Sequence, residues 1–85
     1  MDWNLPVTGP AQKQLRRLPA KDRSRVRAAL LVMKGDPFSG DLARLHGQPG
    51  GWRRRAGAYR IFFDVDYGQR LVIVTAIVRR TSTTY

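Results

Sequence analysis

Arg53, Arg54, Arg55 and Arg60 stand on either side of Gly57 in the stretch GGWRRRAGAYRIFFDVD (residues 50–66), and Arg79 and Arg80 follow the apolar run LVIVTAIV. A guanidinium stays protonated and presents a planar fork that matches phosphate oxygens, so the chemistry these residues offer is recognition and charge stabilisation of a phosphate. An arginine run is also, ordinarily, a solvated face or a non-specific anion patch. Placement decides between the two. If Gly57 and Ala58 form a two-residue hairpin loop, Arg55 faces Arg60 and Arg53 faces Phe62. Arg53, Arg55 and Arg60 then share one face and Arg54 points the other way. A three-residue loop would set Arg54 across from Arg60, and the residues alone allow both. In either register at least two guanidiniums stand side by side, which costs repulsion unless an anion lies between them. Arg79 and Arg80 lead into the hydroxyl-rich TSTTY that ends on Tyr85. In an antiparallel meander this segment returns toward Arg60, so one pole of the sheet gathers Arg53, Arg55, Arg60 and Arg79 with Tyr85 within reach.

The elements that must hold these residues follow from the pattern of apolar residues and breakers. Trp3 to Thr8 reads as a short first strand, confined by Pro6 to a sheet edge. Thr8 is a candidate N-cap and Pro10 suits a first helical turn; Ala11, Leu15 and Leu18 recur at helical spacing until Pro19. From about Lys21 to Lys34, Val26, Ala29, Leu30 and Met33 form an apolar stripe while Arg23, Arg27 and Lys34 face away, and Gly35 with Pro37 stops the helix. The stretch DPFSGDLARLHGQPGG reads as a loop that Leu42 and Leu45 could anchor. Trp52 to Ala56, Tyr59 to Asp66 and Arg70 to Val78 read as three strands, the last of them central and covered on both faces. The expected fold is α+β: an N-terminal strand, an αα hairpin and a three-stranded antiparallel meander, with the helices on one face of a four-stranded sheet. Val26, Leu30, Met33, Ile61, Phe63, Leu71, Ile73 and Ile77 are the expected core.

Composition narrows the partners. The sequence has 85 residues, enough for a single domain spanning residues 1–85 but not for a deep-pocketed enzyme. Sixteen Lys and Arg against six acids, all Asp, give a formal charge of +10. Half of that excess falls in residues 1–50 and half in 51–85, so the whole domain is basic, not just a tail. Nucleic acid is the first partner such a surface suggests, an acidic protein the second. No run approaches the ~20 apolar residues of a membrane helix, and Asp2 in a polar start argues against a signal peptide. Without cysteine, and with His46 as the one histidine, disulfides, thiolate chemistry and a metal centre are not expected. A cytoplasmic protein without cofactor is the resulting expectation.

The order of these pieces resembles the RelE/ParE superfamily of toxins from toxin–antitoxin pairs. The resemblance rests on the first strand, the hairpin QLRRLPAKDRSRVRAALLVMKGDP and the LARLHG lead-in. It also rests on the pattern R-x-R-x-G-x-Y-R at Arg53, Arg55, Gly57, Tyr59 and Arg60, and on a last strand ending in arginine and tyrosine. It implies a RelE-like fold and an acidic cognate antitoxin. In the RelE-like branch it implies a metal-independent endoribonuclease that cuts mRNA in the ribosomal A site and so inhibits translation. The ParE-like branch poisons DNA gyrase instead, and a non-catalytic RNA- or ribosome-binding module is the third reading. Carried over by the resemblance, Arg60, Arg79 and Tyr85 are the catalytic candidates and Arg53 and Arg55 the phosphate binders. Arg54 and Arg80 join the RNA-binding set, and Arg23 and Arg27 on the helix face are candidates for ribosome contact. Some relatives carry a histidine before the last tyrosine and a glutamate on the sheet. Here Thr84 precedes Tyr85 and glutamate is absent, which excludes that acid/base pair. His46 is expected to be structural or solvated.

RNA supplies its own nucleophile, the 2′-hydroxyl, so such a site must align the attack, spread charge on the phosphorane and move two protons. The implied assignment makes Tyr85 the general base, its phenolate favoured by neighbouring arginines. Arg60 and Arg79 stabilise the transition state, and Arg53 and Arg55 position the phosphate.

Overall fold

The computed structural model describes residues 2–45 and 51–80. Thr8 is extended and its hydroxyl accepts from the Ala11 N–H at 3.4 Å, which opens α1 (Gly9–Arg16) with Pro10 in its first turn. Pro19 is extended in turn (φ −54°, ψ 149°), which disfavours continuing the helix through the residue before it. Its carbonyl accepts from the Arg23 N–H at 2.8 Å and starts α2 (Ala20–Gly35). Asp22 in the first turn and Lys34 in the last match the helix dipole. After α2 the Asp36 carboxylate accepts from the Phe38 N–H at 3.0 Å and its carbonyl from the Ser39 hydroxyl at 3.0 Å, a local turn that asparagine and aspartate favour. No helix among the described residues is long and apolar enough to cross a membrane.

Four strands, β1 (Leu42–Arg44), β2 (Gly51–Ala56), β3 (Tyr59–Asp66) and β4 (Leu71–Arg79), form one antiparallel sheet in that order. The α+β class and the helix hairpin on a four-stranded sheet are as the sequence predicts, but two details differ. Leu42–Arg44, expected to be loop, supplies the fourth strand by pairing with residues 52–54. The expected N-terminal strand is reduced to two isolated parallel bridges to β4, Asn4↔Leu71 and Val7↔Val74. Pro6 explains the interruption: its carbonyl accepts from the Val74 N–H at 2.9 Å, but it has no N–H to return. β4, expected to be central and covered on both faces, is instead last of the four strands, with this segment along its outer edge and only one face buried.

A third difference is one of phase. A β-bulge opposite Phe62 and Phe63 leaves Thr75 unpaired, Phe62 facing Ala76 and Phe63 facing Val74. One extra residue reverses which side chains point inward. Val72 and Val74 are fully buried with Ile77, whereas Leu71 and Ile73, expected in the core, are half-buried on the other side. Val26, Leu30, Met33, Ile61, Phe63 and Ile77 are core residues as expected, joined by Ala11 and Tyr59. α1 is tied to β4 by Gln14, whose side-chain oxygen accepts from the Ile77 N–H at 2.7 Å.

Tyr59 fastens α2 to the β2–β3 hairpin. Its ring is buried at the helix–sheet interface and its hydroxyl donates to the Asp22 carboxylate at 3.0 Å. Burial raises its pKa above the ordinary 10.0, the Asp22 bond and charge raise it further, and nearby Arg79 offsets part of the shift. At the other end of the sheet Phe38 meets Trp3 and Trp52 edge-on at 6.3 and 5.3 Å and stacks on Tyr67 at 6.0 Å. Arg70 lies over Trp3 and Arg44 over Trp52. These rings lie far apart in sequence, so nothing in the chain foreshadows their meeting.

Two stability measurements check this packing. Leu30→Ala should destabilise by about 2–5 kcal/mol, read from the urea midpoint, because Leu30 is buried between α2 and the sheet. The Tyr59 proton makes the second. The folded state holds it above pH 10 while the unfolded chain releases it, so this stabilisation is complete below pH 10 and falls as the pH climbs through the raised value. The stability gap between wild type and Tyr59→Phe should narrow between pH 8 and pH 11; a constant gap would mean that the phenol is not held protonated.

Candidate functional site

The hairpin turn fixes the arginines. Ala56 pairs with Tyr59 and Arg55 with Arg60, the register of a two-residue loop, and Gly57 takes φ +61° at its first position. Glycine at that place suits a type II′ turn. A side chain here would also collide with Arg25 of α2, whose Cδ lies 2.8 Å from where a Cβ would stand. With Tyr59, Ile61 and Phe63 turned to the helices, alternation turns Arg60, Phe62 and Asp64 to the open face. On β2 the open face receives Arg53 and Arg55.

Arg55 and Arg60 are closer than pairing alone requires. The Arg55 N–H donates to the Asp41 carbonyl at 3.0 Å, away from β3, so the Arg55–Arg60 pair is the type whose backbones exchange no hydrogen bond and whose side chains stand nearest. Arg55 Nε and Arg60 Nε are shielded from solvent and find no acceptor among the described residues. Asp41 approaches Arg55 Nη1 at 3.8 Å across a largely exposed gap, an ion pair that contributes little. Two like charges directly opposite on one face destabilise the sheet and favour an anion between them.

Arg79 and Arg80 are placed differently from the expectation. Arg79 pairs with Tyr59 and shares its side of the sheet, beside the Tyr59 hydroxyl and away from Arg60. The next residue, Arg80, donates its N–H to the Ala58 carbonyl at 2.7 Å, continuing the register, and alternation sets its side chain on the face of Arg60 and Val78. The clustered set on the open face is therefore Arg53, Arg55, Arg60 and Arg80. Arg54, opposite Ile61, lies on the other side beneath the Gly40 turn, where a Cβ on Gly40 would stand 2.9 Å from its Nη2.

Arg23 and Arg27 belong to α2, on the opposite side of the sheet from this cluster. Arg23 is half-buried and donates to the Arg16 carbonyl at the end of α1 (3.4 Å), while Arg27 is exposed. Tyr85 and His46 lie outside the described residues.

Beside the arginines the open face holds a recess of about 240 Å³, bordered by Leu45, Gly51, Phe62, Asp64, Thr75 and Ala76. The sequence reading sets Phe62 opposite Arg53 and leaves it out of the core, but it draws no recess from that placement. The available signal was the strict alternation from Tyr59 to Asp64, which puts Phe62 outside once Ile61 and Phe63 are in. The face as a whole can bind a phosphate at its hairpin end, by guanidinium forks, and offers an apolar ring next to it.

No protein-family model matches the sequence, and no curated protein matches it. Solved structures do. A chain of the RelBE2 toxin–antitoxin complex of Mycobacterium tuberculosis superposes with a TM-score of 0.84 at 20% identity, covering 94% of this chain and 100% of that one. The archaeal RelE–RelB complex of Pyrococcus horikoshii gives 0.83 at 19%, covering 98% and 100%. The YoeB/ParE toxin of Agrobacterium tumefaciens gives 0.75 at 20%, covering 92% and 99%. With near-complete coverage in both directions, this chain has the fold of the RelE/ParE toxins.

Proposed function

We propose that this chain is the toxin of a toxin–antitoxin pair and that it cleaves messenger RNA in the ribosomal A site. The observation that carries the reading is the close Arg55–Arg60 pair, with Arg53 and Arg80 on the same face, in a fold shared with RelE–RelB complexes. In this reading the RNA 2′-hydroxyl attacks the adjacent phosphorus and the 5′-oxygen leaves, giving a 2′,3′-cyclic phosphate and a free 5′-hydroxyl. Arg55 and Arg60 take the non-bridging oxygens, where charge accumulates in the phosphorane. Arg53 and Arg80 hold the flanking backbone. Tyr85 receives the 2′-hydroxyl proton, an assignment that rests on the resemblance alone, and solvent supplies the proton to the leaving oxygen, whose developing charge a guanidinium of the cluster stabilises. The ribosome holds the message in line, since the cluster offers charge but little positioning of its own. Arg79, beside Tyr59, acts through the hairpin's stability. Arg23 and Arg27 supply ribosome contact.

Single-turnover cleavage of a ribosome-bound message separates these roles. Arg55→Ala and Arg60→Ala should each slow cleavage about 100-fold or more, Tyr85→Phe should impair cleavage with binding nearly intact, and Arg79→Ala should stay within a few-fold of wild type. Substitution of Arg23 or Arg27 should weaken attachment and its salt dependence, leaving the bound rate unchanged. Wild-type rates for Arg60→Ala and Tyr85→Phe would defeat the endonuclease reading and favour gyrase inhibition or plain RNA binding.

The proposed partner is an acidic antitoxin, the complement of a surface of charge +10. Its association rate should fall steeply from low to high salt in stopped-flow mixing; a flat rate would rule out electrostatic steering.

A further inference from the structure

The open face is polar along its length in a way that matches one nucleotide. Arg60, Phe62 and Asp64 alternate outward along β3, so Phe62 lies about 7 Å and Asp64 about 13 Å from Arg60 along the strand. Cation, aromatic ring and carboxylate therefore follow one another in a single row. Across β2 the row continues the same theme: Arg55 faces Arg60, Arg53 faces Phe62, and Gly51, which has no side chain to cover the floor, faces Asp64. The result is the recess with half-buried Phe62 at its base and exposed Asp64 at its rim.

We propose that this recess is a nucleobase subsite selective for guanine, fed by the phosphate site at Arg55 and Arg60. The proposal rests on the reading that those arginines hold an RNA phosphate. A base whose phosphate lies there can reach over Phe62 and stack, a contact every base makes. Discrimination comes from Asp64. An ionised carboxylate only accepts hydrogen bonds, and it accepts two side by side. Guanine presents two adjacent donors, N1–H and the N2 amine, on its Watson–Crick edge, whereas adenine presents one donor beside an acceptor that would face the carboxylate unpaired. Asp64 also repels phosphate, so the backbone is directed to the hairpin end and the base to the Asp64 end.

The test is a titration of the folded protein with guanosine 3′-monophosphate, adenosine 3′-monophosphate and inorganic phosphate, followed by NMR amide shifts. Guanosine monophosphate should bind about 10-fold tighter than adenosine monophosphate. Asp64→Asn should abolish that preference without weakening phosphate binding. Phe62→Leu, which keeps an apolar side chain and removes the ring, should weaken both nucleotides and leave phosphate unchanged. Equal affinity for the two nucleotides, or a preference that survives Asp64→Asn, would overturn the subsite. The phosphate arm judges the underlying reading separately: phosphate binding unaffected by Arg60→Ala would remove the phosphate site, while a guanine preference lost in Asp64→Asn would still establish the recess.

Discussion

The turn at Gly57 and Ala58 decides which arginines of this domain stand side by side. A two-residue loop sets Arg55 against Arg60; one more residue would set Arg54 there and move Arg53 and Arg55 to the side of the helices. Three features hold the register. Gly57 accepts a backbone angle that side chains resist, Arg25 packs over it, and the Tyr59 hydroxyl is anchored on Asp22. The last two tie the hairpin to α2. The helix thus governs the open face although it lies on the other side of the sheet.

This arrangement works against the stability of the hairpin it occupies. Opposed arginines repel, and their shielded Nε donors lack acceptors among the described residues, a cost that a bound anion relieves. The opposite face compensates with fully buried Ile61, Phe63, Val72 and Val74. The clustered arginines and the buried core are thereby divided between the two sides of one sheet, with strand alternation as the partition. The bulge at Thr75 belongs to this division: it keeps Val72 and Val74 inward below it and Ile77 inward above it, though Val74 and Ile77 are an odd number of positions apart.

Much of the fold was legible because single residues with few options punctuate it. Pro10, Pro19 and Gly57 marked the helix start, the break between helices and the hairpin. The apolar stripe of α2 gave Val26, Leu30 and Met33 directly. β1 was hidden because its three residues are at most half-buried and carry no alternation. Leu71 and Ile73 were misplaced because a bulge leaves no mark in composition. The residues left two loop lengths open for Arg53, Arg54, Arg55 and Arg60, and their positions follow from the two-residue loop that the structure shows. Arg79 could have been excluded from the cluster on the same grounds: it is two residues beyond Ile77, so a buried Ile77 sends it toward the helices. The Asp22–Tyr59 bond spans 37 residues, and no local pattern announces a contact of that kind.

The parallel bridges between the N-terminal segment and β4 join the two extremes of the described chain; Thr8 donates to the Thr75 carbonyl across 67 residues. Closing so long a loop is slow and brings no reward until β4 is in place. α1 rests chiefly on β4 and β4 rests on β3, so a chain that has not yet formed its last strand has no surface on which α1 can settle. During synthesis the domain must therefore wait for β4, and it acquires helices, sheet and arginine face in one late step. A polypeptide cut short before Leu71 would be not a weaker version of this protein but an unfolded one.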